Sequence, residues 1–414
     1  MPRTTTQFFV PPSTYDAAPR PVSAHGTTIR YSDGTTRLDG IAGLWNVPLG
    51  YGHRGVADAV HAALLDASYL THFRATHAWA DRAGSALLEV AGPRHYNRVL
   101  HSTSGSAALD SVVKLVRQYQ LLRERTNHRR LIVALKGSYH GTTMGAMALT
   151  GEDLGQRAYA VDTRLVRHVD HQHPQELRDL LAREGERVAA IVIEPVQGSG
   201  TVVVGEGFLA AVEEGRREHG YLVVADEVAT GFGRTGRMFS SQGWSEQPDL
   251  LITSKGLTNG TQAASAVLMS QHVSQVLDES DSPFMHGETQ AGAPAACAAI
   301  LATIEAFREE GVLDRGAQVA ARLDTALLDL AEQTGATTTG KGCFRSLVLP
   351  DLDGQDATEL VSRCRRAGAV VQPGPSCIQL VPSLIYAEDQ LDSLLDRVGN
   401  AVLEFASHRP ARVA

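Results

Sequence analysis

From about residue 98 the chain alternates between two textures. Short runs rich in apolar and β-branched residues recur: RVLHST, RLIVALKG, VAAIVIEPV, YLVVADEV, DLLITSKG and ASAVLMS. Stretches with helical spacing, such as ALDSVVKLVRQYQLLRERT and FLAAVEEGRREHG, separate most of them. Apolar strands that alternate with helices predict an α/β fold, with a mainly parallel sheet covered on both faces. DLLITSKG and ASAVLMS lie too close for a helical crossover and are expected to pair antiparallel.

The flanks read differently. Residues 1 to about 30 look like a loose arm rich in Pro and Thr. GTTIRYSDGTTRLDG predicts a hairpin around an Asp-Gly turn, and RGVADAVHAALLDASYL a helix. From about residue 292 a helical stretch, GAPAACAAILATIEAFREEG, leads into short strands at GCFRSLVLP, AVVQPG and IQLVP, which predict a second, α+β domain. The expected division is 1–60 for an arm and part of the small domain, 61–305 for the large domain and 306–414 for the rest of the small one. A chain of 414 residues suits a large domain plus a smaller one.

Composition narrows the function classes. A net charge of −8 without a basic stripe argues against a nucleic-acid partner. No apolar run approaches the roughly 20 residues of a membrane span, and the N-terminus lacks a signal-peptide core, so a cytoplasmic protein is expected. Cys297, Cys343, Cys364 and Cys377 show no CxxC spacing, so no metal is expected and the four are read as packing residues.

Lysine usage carries the chemistry. The chain has 34 arginines but only four lysines, Lys114, Lys136, Lys255 and Lys341. Lys255 follows an apolar strand in TSKGLTNG, where an amine that can lose its proton has a use that arginine cannot fill. Three other features fall at predicted strand ends, where open α/β sheets bind ligands. Gly105 and Ser106 in STSGSAALD open a helix and could cradle a phosphate, though an ordinary helix cap reads the same way. Tyr139 and His140 in KGSYHGTT could stack on a flat ligand, or form a loop around a half-buried tyrosine. Asp226 and Glu227 end YLVVADEV, a costly place for a carboxylate unless a cation or donor meets it. Phosphate cup, aromatic, acid and lysine on one sheet edge together suit pyridoxal 5′-phosphate.

A triphosphatase is the rival, since GATTTGKG (residues 335–342) matches part of a P-loop. Gly342 offers no hydroxyl for magnesium, and the segment follows a helix and precedes a strand, the reverse of what a P-loop needs. Lys341 is therefore expected in a solvated loop.

VVADEVATGFGRTG followed by ITSKG, with HGETQAGAPAACAAI at 286–300, resembles the class III aminotransferases of fold type I, over nearly the whole chain. The resemblance implies a large domain with a mainly parallel seven-stranded sheet plus a small α+β domain. It implies that Lys255 carries pyridoxal phosphate and that Asp226 pairs with the ring nitrogen. Val228 and Tyr139 would cover the two ring faces, with His140 beside them. Gly105 and Ser106 would hold the phosphate, with Thr289 reaching over from a partner subunit in a homodimer with shared sites. An aminomutase on the same scaffold is the alternative.

The departures bear on substrate. The cup reads SGSAA where the family usually has SGSEA, which places Ala107 where a glutamate stands. Where many members carry a carboxylate-binding arginine before PPL, this chain has Gln379, and Ser199 stands where its glutamate partner would be. Beyond it, SLIYAED offers Glu388, expected to repel an anion, and no arginine. Trp45, Tyr69, Phe73 and Gln379 are read as lining an apolar or bulky pocket. The expected reaction is transamination between an amine or amino-acid donor and a ketone or aldehyde without an α-carboxylate. LWNVPLGYG also resembles the daptide-type members, which aminate a ketone at the end of a peptide.

Overall fold

A computed structural model describes residues 5–14 and 19–408. Its centre is one seven-stranded sheet. Chain order gives β1 (Pro21–His25), β2 (Thr28–Tyr31) and β3 (Thr36–Asp39), then β4 (Tyr96–Ser102), β5 (Leu131–Leu135), β6 (Val166–Val169) and β7 (Val188–Ile193). There follow β8 (Leu222–Asp226), β9 (Leu250–Thr253) and β10 (Ser265–Ser270). The central sheet runs β4-β10-β9-β8-β7-β5-β6. β8 pairs parallel with β7 and β9, while β10 is antiparallel to both neighbours, as the short DLLITSKG–ASAVLMS spacing predicts. Every residue of β5, β7, β8, β9 and β10 is buried, so these strands have no polar face. β6 is absent from the sequence reading because VRHV is short and half polar; it is an edge strand, where one neighbour suffices.

Two smaller sheets flank the central one. β11 (Thr337–Lys341), β12 (Phe344–Val348), β14 (Gln372–Gly374) and β15 (Cys377–Leu380) form the sheet β11-β12-β15-β14. β13 (Ala369–Val370) joins β1, β2 and β3, so the two ends of the chain share a sheet. The predicted hairpin is β2–β3, with Gly34 at φ +83° in its turn. Two expectations need correction. The arm expected to stay loose to residue 30 already pairs as β1 from Pro21. Lys341 is not in a loop: it ends β11 and pairs with Phe344, because Gly342 at φ +62° turns the chain directly into β12. That strand–turn–strand also excludes a phosphate loop there. All four cysteines are buried and free. Among the described residues, no helix is long and apolar enough to cross a membrane.

Candidate active site

Parallel pairing of β8 with β9 sets Asp226 opposite Ile252, three residues before Lys255, at one edge of the sheet. Lys255 leaves β9 at φ +47°, a left-handed conformation that is rare for a non-glycine residue and tends to persist where function needs it. Its Nζ lies 4.5 Å from the ring centroid of Trp45. Burial holds the Lys255 amine below the ordinary lysine range, with the Asp226 and Glu194 charges opposing. Burial thus works against the charged ammonium at this position.

Asp226 is almost fully buried and has no Lys or Arg partner within salt-bridge distance among the described residues. One oxygen accepts the Val228 N–H at 3.1 Å; the other lies 2.7 Å from His140 Nδ1. His140 has no exposed side-chain surface, and its Nε2 has no partner. Burial pulls the imidazole pKa down, but the bond to Asp226 raises it above the usual histidine value on balance. Glu227 does something else: it accepts Thr230 Oγ1 and the Ser240 and Ser241 N–H groups, so it ties a loop together.

The helix Gly105–Glu124 starts at the end of the strand-like segment before it, with Ser104 Oγ accepting the Ala107 N–H as N-cap. Its first turn is tightly enclosed. A β-carbon on Gly105 would come within 3.1 Å of Val228, and one on Gly141 within 2.0 Å of Ser106 Oγ. Tyr139 stands on the other side, its N–H donated to Glu194 at 2.9 Å. A cradle that requires glycine, an anion-binding helix start, a buried acid with no Lys or Arg partner and a largely buried amine fit pyridoxal phosphate. Gly105 and Ser106 would take its phosphate, Asp226 its ring nitrogen and Lys255 its aldehyde.

Trp45 sits on a segment that sequence periodicity does not flag. Ala42, Gly43, Leu44 and Trp45 have φ of +46°, +59°, +58° and +71°, a complete left-handed turn. Such a turn costs roughly 1–2 kcal/mol per non-glycine residue. Buried Asp39 holds it: its carboxylate accepts the Ile41 N–H (3.0 Å), the Gly43 N–H (2.7 Å) and Tyr51 Oη (2.7 Å). Trp45 then packs edge-on against Phe344 at 5.0 Å, in a buried cluster with Val196, Ala229 and Val381.

The position of the family's arginine has a neutral floor. Gln379 is buried and donates its amide to the Gly198 carbonyl at 2.6 Å. Opposite it on β12 is Ser346, which accepts Thr201 Oγ1 at 2.9 Å. Of the nearby arginines, Arg345 pairs with Asp324, and buried Arg234 donates Nη1 to the Pro382 carbonyl at 2.5 Å, with its Nη2 left without a partner. Glu388 is not at the site, contrary to expectation; it starts the C-terminal helix, mostly exposed, and pairs with Arg322 at 3.4 Å.

Tyr69, Phe73 and Thr289 form a separate group. Tyr69 Oη donates to the Thr289 carbonyl at 3.0 Å, and the Phe73 ring lies against Gly287. All three are exposed, and neighbouring Glu288 accepts from Ser102 and Thr103, just ahead of the phosphate cup.

Two further buried carboxylates, Glu194 and Asp39, belong to the site although neither is among the expected residues. Glu194 ends an apolar strand, VAAIVIE, the same signal that singles out Asp226. It is buried, accepts the Tyr139 and Gly198 N–H groups, and burial pushes its carboxyl up to about 7.

Known proteins resemble this chain over nearly its whole length. The family model "Aminotransferase class-III" matches residues 15–402. An omega-aminotransferase of Caulobacter vibrioides is 28% identical, over 94% of this chain and 95% of its own. An acetylornithine aminotransferase of Mycobacterium leprae is 31% identical, over 90% and 88%. A PMP-bound aminotransferase structure from Vibrio fluvialis superposes with a TM-score of 0.92 at 25% identity, covering 98% of this chain and 97% of that one. The chain belongs to the class III aminotransferase family, with the fold type I architecture, and is a pyridoxal-phosphate-dependent aminotransferase.

Proposed function

We propose that Lys255 is the attachment and proton-transfer residue of an amine transaminase whose acceptor carries no carboxylate beside its carbonyl. When bound, the cofactor supplies an electron sink for cleavage of a carbon–hydrogen bond next to nitrogen. The chain's own residues do the rest. Asp226, backed by His140 at 2.7 Å, would hold a proton on the ring nitrogen. Val228 and Tyr139 would cover the two faces of the ring, and Gly105 with Ser106 would anchor the phosphate. Lys255 Nζ, whose pKa burial lowers, would take the proton from the donor's α-carbon.

The observation that carries the substrate reading is the Gln379–Gly198 bond. A buried Arg–carboxylate contact is charge-assisted and worth about 1.5–3 kcal/mol, whereas this floor offers only neutral groups that already bond one another. The exposed Tyr69, Phe73 and Met285 surface beside Thr289 favours a homodimer in which Thr289 completes the partner's phosphate site. Arg74, exposed on the same loop as Phe73, would be the cation available to a donor carboxylate across that dimer. A peptide ketone is the narrower acceptor, resting on LWNVPLGYG alone.

The attachment assignment has a direct test. Borohydride reduction of the yellow holoenzyme, followed by peptide mass mapping, should find the cofactor's mass on the peptide containing Lys255. The label on Lys114, Lys136 or Lys341 would refute it.

A further inference from the structure

β7 ends at the same sheet edge as the reacting groups, and the chain then doubles back as a short hairpin. Parallel register sets Ile193 opposite Ala225, so Glu194 lies beside Asp226 on the neighbouring strand end. Val196 pairs with Val203; Gln197 donates its N–H to the Val202 carbonyl at 2.9 Å, and Val204 donates its own to Pro195 at 3.1 Å. This hairpin, 195–204, reaches the small sheet that carries Gln379. There Gly198 accepts the Gln379 amide at 2.6 Å, Gly200 accepts Thr339 Oγ1 at 2.8 Å, and Thr201 Oγ1 donates to Ser346 at 2.9 Å. The neutral floor is thus half hairpin and half small sheet.

Glu194 fixes the base of the hairpin. Its Oε1 accepts the Gly198 N–H at 3.1 Å, and its Oε2 accepts the Tyr139 N–H at 2.9 Å. One carboxylate therefore holds two segments from different strand ends: the loop after β5 that carries Tyr139, and the Gly198 of the floor. The bonds run in series from Tyr139 through Glu194 and Gly198 to Gln379, and the last three residues are buried. Bonds to an ionised acceptor are short and directional, which suits a part whose task is spacing. Gly198 has little room on its other side. An added β-carbon would lie 3.2 Å from the Trp45 indole and 3.4 Å from Glu194 Oε1. Gly198 is clamped between the acid and the indole that stands 4.5 Å from Lys255 Nζ. Gln197 also donates its side-chain amide to the Lys136 carbonyl at 2.8 Å, so loss of Glu194 shifts the hairpin without freeing it.

We propose that Glu194 is a positioning residue for the acceptor. Through Gly198 it sets the Gln379 floor against the Tyr139 face, and so governs how tightly the ketone is held while leaving proton transfer at Lys255 unchanged. This rests on the reading of the Gln379 floor as the acceptor's site.

The test uses the holoenzyme, a saturating amine donor and a neutral methyl ketone varied in concentration. Glu194→Gln keeps the shape of the side chain but offers one carbonyl oxygen to two N–H donors. KM for the ketone should rise about tenfold, the scale of one lost charge-assisted bond, with kcat within about threefold of wild type. Gln379→Ala should raise KM as well, and the double variant should be no worse than the poorer single one, because both cut one chain of bonds. In the cofactor-free protein, amide exchange in peptides covering 195–204 should quicken in Glu194→Gln. Gly198→Ala, which presses on Trp45 and Glu194 from the hairpin side, is the second variant and should raise the same KM with kcat held. The proposal is overturned if Glu194→Gln lowers kcat and leaves KM alone, if the two KM effects multiply in the double variant, or if exchange across the hairpin is unchanged. In a wild type that prefers the methyl ketone to pyruvate, those outcomes sink this proposal alone. A wild type that prefers pyruvate overturns the acceptor reading beneath it.

Discussion

Two residues do the proposed chemistry, and each can be changed without disturbing the sheet that holds it. Lys255 makes no hydrogen bond or ion pair with its Nζ among the described residues, so Lys255→Ala should fold normally. It should lower turnover by at least about a thousandfold, the scale of a lost general base; near-normal single-turnover rates would refute the role. Asp226→Asn keeps the side-chain shape and the Val228 contact but leaves the ring nitrogen unprotonated. The cofactor should still bind, and kcat should fall by about a hundredfold or more, as when a preorganised charge is removed. Glu194 makes a pH prediction. Burial raises its folded-state pKa to about 7 from an ordinary 4.5. Its stabilising contribution is therefore complete below the unfolded value and is lost as pH rises through about 7, a change of up to about 3 kcal/mol. Cofactor-free wild type should lose melting temperature relative to Glu194→Gln between those limits. A difference that stays flat, or that grows in wild type's favour, would show that hydrogen bonds rather than burial set this group.

At the scale of elements, the buried strands were legible in the sequence because their runs have no polar face. β6 and β11 were not, since VRHV and TTTGK carry too few apolar residues to announce a strand. The turn Ala42–Trp45 was illegible for another reason. Propensity describes right-handed structure, and nothing local favours four successive residues at positive φ. The turn exists because Asp39, at the end of β3, binds the Gly43 N–H within it and the Ile41 N–H just before it from a buried position. Asp39→Ala strands those donors and the Tyr51 hydroxyl, so the urea midpoint should fall by the equivalent of on the order of 3 kcal/mol. Activity should fall further than stability explains, because Trp45 loses its fixed place beside Lys255. An unchanged midpoint and rate would show that the Trp45–Phe344 packing alone holds the turn.

Across the whole molecule, Asp226, Lys255 and His140 were readable together because each lies at or just past a strand end, and one sheet edge gathers strand ends; Val228 was legible only through the family resemblance. Gln379 and Ser199 were readable only as missing charges. Their partners come from β12 and from loops far away in sequence, and no local pattern encodes a pairing across that distance. Tyr69, Phe73 and Thr289 share a surface rather than the Lys255 pocket of their own chain, which sequence spacing could not distinguish. The neutral floor is where fold and chemistry meet, and it sets the central claim about the acceptor. Specificity constants should be measured for pyruvate, 2-oxoglutarate and a neutral methyl ketone under a saturating amine donor. The methyl ketone should match or exceed both keto acids in kcat/KM. A keto acid favoured by about tenfold or more, the 1.4 kcal/mol that a bound charge readily supplies, would contradict the account.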